Sequence, residues 1–128
     1  MPNYCNNQLE ITGSAADIAR FKNLVRGEDT ALSLDTLVKM PSFLKLIQPG
    51  GILPNWYDWS VKHWGTKWDV TEVTLVNKSD ECLVYHFLSA WNPPEAWLIR
   101  AAQTFPNLQF QLTYIVEGED GEHSLVLD

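Results

Sequence analysis

The chain has 128 residues, 45% hydrophobic and 20% charged, which suits one globular domain and excludes a disordered or fibrous chain. Its two cysteines, Cys5 and Cys82, are too few for a disulfide framework and read as reduced thiols, and no apolar run approaches the roughly 18 residues of a membrane span. The net charge of −7 is uneven: residues 1–68 hold seven Lys and Arg against six Asp and Glu, whereas residues 69–128 hold two against ten. A basic track for phosphates is therefore not evident, so direct nucleic-acid binding is disfavoured. The opening MPNYCNNQLE lacks the basic and apolar regions of a signal peptide, so the expected location is the cytoplasm.

Residues 7–12 alternate, with Leu9 and Ile11 on one side, which predicts a strand with one buried face. After Gly13, Ser14 and Asp17 form a capping-box start, and Ala15, Ile18, Phe21, Leu24 and Val25 recur at helical spacing up to Gly27. Leu32, Leu34 and Leu37 read as a short strand or an irregular apolar segment, and residues 42–47 as one or two helical turns capped by Ser42. Pro49, Gly50 and Gly51 read as a turn or a mobile loop. Residues 55–69, NWYDWSVKHWGTKWD, then hold four of the six tryptophans: Trp56, Trp59, Trp64 and Trp68. Asn55 is a plausible cap for a helix over residues 56–64, and Gly65 ends it.

Residues 69–77 alternate again, with Val73 and Leu75 inward, and residues 77–80 read as a turn. Residues 81–90 are apolar on both faces, which predicts a central strand covered on both sides, with His86 on a buried face. Asn92, Pro93 and Glu95 predict a helix capped by Asn92, whose buried face is Ala96, Leu98, Ile99, Ala102 and Phe105. Residues 108–116 alternate with Leu108, Phe110, Leu112 and Tyr114 inward, and residues 117–128 carry five acids and a final short strand at Leu125, Val126 and Leu127.

This order predicts a single α+β domain over residues 1–128. The pattern is a ferredoxin-like βαββαβ antiparallel sheet with a Trp-rich insertion at residues 27–68 and an added C-terminal strand. The sheet's open face needs a cover over its central strand, and the tryptophan-rich insertion is the expected one.

The opening Met1 to Asn7, the Trp56-Tyr57-Asp58-Trp59 run, the Trp64-Gly65-Thr66-Lys67-Trp68-Asp69 block and Ala90-Trp91-Asn92-Pro93-Pro94 together resemble the YubB-like family of plasmid-, phage- and island-borne proteins. The resemblance spans residues 2–117 and implies a ferredoxin-like domain and a mobile-element origin, with no activity to carry over. The chain departs from the family pattern at Tyr4 and Asn92, where members usually carry Trp and often Ser, and at its acidic end.

No catalytic signature accompanies this pattern. His63, His86, His123, Cys5 and Cys82 show no metal-ligand spacing, Cys5 reads as a buried small thiol, and Pro49-Gly50-Gly51 matches no phosphate loop, so no metal or cofactor is expected. Two sites stand out. Trp59, Trp64, Lys67, Trp68, Asp69 and Trp91 are a candidate ligand or partner pocket, with Lys67 reading an anion. The competing reading is that Lys67 and Asp69 order the loop while the indoles fill core. Glu117, Glu119, Asp120 and Glu122 are a candidate acidic surface for a basic partner.

The expected function is non-enzymatic: a mobile-element accessory protein that binds a host protein, such as a defence complex of the CRISPR-Cas kind. The alternative is a small-ligand or enzymatic site in which Asp58 and His63 join Lys67 and Asp69. Pairing between copies through residues 125–127 is a possible route to a dimer.

Overall fold

The structure, a computed structural model, describes residues 3–119 and 121–127. Its five strands are β1 (Tyr4–Thr12), β2 (Thr71–Ser79), β3 (Cys82–Ala90), β4 (Gln109–Val116) and β5 (His123–Leu127). They form one sheet in the order β2-β3-β1-β4-β5, with every neighbouring pair antiparallel. The helices are α1 (Ala15–Val25), α2 (Leu34–Leu37), α3 (Trp56–His63) and α4 (Glu95–Thr104), with a 3₁₀ turn at Ser42–Leu46. The chain is thus an α+β protein on an antiparallel sheet. Among the described residues, no helix is long and apolar enough to cross a membrane.

The alternation of β1 decides which face is buried. Leu9 stands between Tyr85 and Leu112, and Ile11 between Leu83 and Phe110; all six are buried. Ile18, Phe21 and Val25 of α1 and Trp97, Leu98 and Ala101 of α4 close over this face. Phe21 is the hub, packed edge-on against Tyr85, Trp97, Phe105 and Phe110 with ring centroids 5.4–6.4 Å apart. Edge-on rings place positive ring edges against negative faces, so this geometry adds to the burial of area. Polar Asn7 is tolerated in the same layer because its amide donates to Cys5 O at 3.1 Å and to Ser89 Oγ at 2.9 Å.

Several sequence expectations are corrected. The tryptophan-rich insertion does not cover the open face. Trp64 belongs to the same buried cluster as Leu9 and Trp97, and Trp56 and Trp59 pack against that cluster, so the insertion widens the helical layer. The opposite face is bare: Gln8, His86 and Gln111 are exposed there, as are Ile115 and Val126. His86 is therefore not a core histidine, and of the outward row Cys82, Val84, His86 and Leu88 only Val84 is buried. The segment around Leu34 is the short helix α2 and not a strand. Pro41, not Ser42, occupies the cap position of the 3₁₀ turn.

Asn92 does not cap α4. The N-cap position is Pro94, because Asn92 is used in the turn leaving β3: its N–H donates to Ala90 O and its carbonyl accepts from Ser89 Oγ. Ser14 and Asn55 do cap α1 and α3, accepting from the amides of Asp17 and Asp58.

Candidate functional site

The WGTKWD block starts where α3 stops. Gly65 takes φ +88, a left-handed conformation that glycine adopts cheaply, and a Cβ there would lie 3.0 Å from the amide nitrogens of Glu95 and Ala96. The backbone can therefore press against the start of α4. Trp64 is buried; its indole Nε1 donates to Val38 O at 2.8 Å, and its carbonyl accepts from Trp97 N–H at 3.2 Å. Thr66 Oγ1 donates to Ala90 O at 2.8 Å, and Ser60 Oγ donates to the carbonyl of Lys67. One short segment thus ties α3, α4, the end of β3 and the residues before the 3₁₀ turn together.

Asp69 completes the fastening. One carboxylate oxygen accepts from the N–H groups of Leu34 and Val70, each at 2.8 Å, and the other accepts from Ser33 Oγ at 2.6 Å. Ser33 sits at the N-cap position of α2 but makes no side-chain cap bond, so Asp69 supplies the acceptor in its place.

These bonds leave a cleft of about 330 Å³ within the insertion, between α2 with the 3₁₀ turn on one side and α3 with the WGTKWD block on the other. Trp56, Trp64, Trp68 and Met40 supply apolar walls, and Asp35, Lys45, Lys67 and Asp69 supply charge. Asp35 accepts from Met40 N–H at 2.7 Å and pairs with Lys45 at 3.4 Å. Lys67 differs. Its ammonium lies 4.8 Å from the centre of the Trp68 ring and 5.6 Å from that of Tyr57, and among the described residues no carboxylate pairs with it. Aromatic faces attract a cation without supplying a counter-charge, so the Lys67 side chain stands at an apolar cleft with ring faces as its neighbours.

The structure brings together Trp64, Lys67, Trp68 and Asp69 of the expected pocket and adds Trp56, Asp35, Met40 and Lys45. Trp59 stands aside, stacked on His63 at 4.5 Å and edge-on to Trp64 at 5.3 Å. Trp91 is exposed in the turn after β3, at φ +69, with its N–H donating to Asn3 O; it is not among the residues lining the cleft. Asp58 and His63 do not line the cleft either. Asp58 is bonded to its own cap residue, Asn55. His63 is pushed below its ordinary pKa by burial first and then by Lys62 and Arg100. The four-residue acid–base cluster therefore does not assemble. Asp35 and Lys45 were missed because a pairing across a 3₁₀ turn has no periodic signature in sequence.

Elsewhere, Cys5 is fully buried, and burial pushes its thiol from 9.0 up to about 11, which keeps it protonated and unreactive near neutral pH. No group of three His, Cys, Asp or Glu gathers as metal ligands among the described residues. Glu117, Glu119 and Glu122 are exposed at the turn between β4 and β5, and Asp120 lies outside the described residues. What the fold and cleft define is an α+β protein with an antiparallel sheet and an aromatic, lysine-bearing recess. No family model, curated protein or solved structure matches the chain.

Proposed function

We propose that this protein is a ferredoxin-like accessory protein of a phage or plasmid that works without catalysis, by binding a host protein. Inhibition of a defence complex of the CRISPR-Cas type is the role we favour. The ferredoxin-like reading is supported by the order β2-β3-β1-β4, with β3 between β1 and β2 and β1 between β3 and β4, as two interleaved β-α-β units require. The mobile-element origin is supported by the resemblance of the WGTKWD and AWNPP blocks to YubB-like proteins.

The observation that carries the binding reading is the uncovered sheet face. Ile115, Val126 and Val76 are exposed on it, and Glu117, Glu119 and Glu122 follow at the adjoining turn. Exposed apolar area beside an acidic rim suits a basic protein surface, where charge steers encounter and apolar contact adds affinity. The test is capture from host lysate by the wild-type chain and by a Glu117→Lys, Glu119→Lys, Glu122→Lys variant. Retention of the same host complex by wild type and its loss from the variant are expected. Equal retention by both would sink the charge-based mechanism.

A second reading, a ligand site in the tryptophan cleft, is favoured by the Lys67 ammonium, which lies over aromatic faces and pairs with no carboxylate among the described residues.

A further inference from the structure

We propose that the loop of residues 42–53 and the cleft beside it form one docking surface for an acidic, apolar segment of a partner protein. An aromatic or aliphatic side chain of that segment enters among the tryptophans and a carboxylate meets Lys67. This names the ligand class of the cleft and rests on the reading of the cleft as a binding site.

The loop is unusual in what it leaves in water. Within the 3₁₀ turn only Leu44 is buried, while Phe43 and Leu53 are each 62% exposed, Leu46 85% and Ile52 102%. Burying one such side chain stabilises a fold by ~1.5–3 kcal/mol. Four left outside on one short loop are not arranged for folding, and they match the anchors of a protein contact. Gly50, at φ +110, and Gly51 have no neighbouring atoms within 4 Å of a Cβ position, so the tip projects from the surface. The loop is continuous with the cleft, because Lys45 inside it and Trp56 just after it are both cleft residues.

Charge selects the occupant. The sequence between residues 38 and 68 carries four lysines and one carboxylate, Asp58, and the cleft itself is lined by two lysines, Lys45 and Lys67, and two aspartates, Asp35 and Asp69. The two acids of the cleft are already engaged: Asp35 by Met40 N–H and Lys45, and Asp69 by Ser33, Leu34 and Val70. Of the two cleft lysines, Lys67 is the one that pairs with no carboxylate among the described residues. A cleft of about 330 Å³ has room for a protruding side chain, which a lipid surface does not supply. A second copy of this chain would have to offer its acidic turn, and residues 117–123, EGEDGEH, contain no apolar anchor. Single-stranded nucleic acid, whose bases could stack on Phe43 and the cleft tryptophans, is the competing occupant that the oligonucleotide arm of the test decides.

The test is panning of a random displayed-peptide library on the full chain, followed by binding titrations on two variants, Lys67→Glu and the double change Leu46→Ser with Ile52→Ser. Enriched peptides are expected to combine Asp or Glu with an aromatic or aliphatic anchor. Each variant is expected to weaken them by roughly tenfold or more, with unfolding midpoints unchanged, as for lost interface anchors. Enrichment of nothing, of basic peptides, or of peptides indifferent to both variants overturns the proposal. Loss with Lys67→Glu alone removes the loop from the surface while the cleft reading stands. Binding of anionic phospholipid vesicles or of a single-stranded oligonucleotide through these residues, with no acidic peptide enriched, also overturns it. None of these outcomes bears on the acidic face.

Discussion

Lys67 and Asp69 stand two residues apart and do different work. In sequence they form one pair that either fastens a loop or borders a pocket, and nothing local separates the two roles. The structure separates them because Asp69's partners, Ser33 and Leu34, lie more than thirty residues earlier in the chain, a long-range contact that a single sequence does not display. Replacing Asp69 with Ala leaves two backbone N–H groups and a hydroxyl without their acceptor. Asp69→Ala is expected to cost about 2–3 kcal/mol, read as a lower urea midpoint at unchanged slope. Lys67 contributes only cation–π contacts from a partly exposed position, so Lys67→Ala is expected to cost less than about 1 kcal/mol. A Lys67→Ala loss as large as that of Asp69→Ala would make Lys67 part of the fastening and leave the cleft without a free cation.

At the level of elements, what was legible followed from periodicity and capping chemistry. Leu9 and Ile11, Phe110 and Leu112, and Ile18, Phe21 and Val25 have the buried positions that their spacing predicts, whereas Leu24 and Ile99, expected on the same buried faces, are 41% and 44% exposed. Asn55 caps α3 as its side chain suggests. Legibility failed where two elements compete for one residue: Asn92 has cap chemistry, but the turn after Trp91 takes its backbone groups first. It failed again for the two-faced apolar pattern of β3, because Cys82, Val84 and Leu88 give an apolar average to a row in which only Val84 is buried. Gly65 is the element-scale contact of the site, where the chain presses against the start of α4. Gly65→Ala brings a Cβ to 3.0 Å from two amide nitrogens of α4 in a left-handed conformation. It is expected to destabilise by about 1–3 kcal/mol. Gly51→Ala meets nothing within 4 Å and is expected to be neutral within about 0.5 kcal/mol. Thermal unfolding of the two variants beside wild type checks the contrast, and equal effects would remove the packing of Gly65 against α4 as the cause.

On the scale of the whole molecule, the sheet has one dressed face and one bare face, and the two are separable by mutation. Neighbouring residues of β4 point to opposite sides: Leu112 is buried beside Leu9, while Gln111 and Ile115 look outward and are exposed. Truncating Leu112 to Ala removes packed methyl groups and leaves a void, which is expected to cost about 2–5 kcal/mol. Ile115→Lys puts a charge on a face already in water and is expected to cost less than about 1 kcal/mol. Had the tryptophan-rich insertion folded over this face, the lysine would be buried without a partner and would be the more damaging change of the two. Guanidinium unfolding of both variants therefore reads which side of the sheet the insertion occupies. An Ile115→Lys loss matching that of Leu112→Ala would mean that the face is covered, and the binding role proposed for it would go with the bare face.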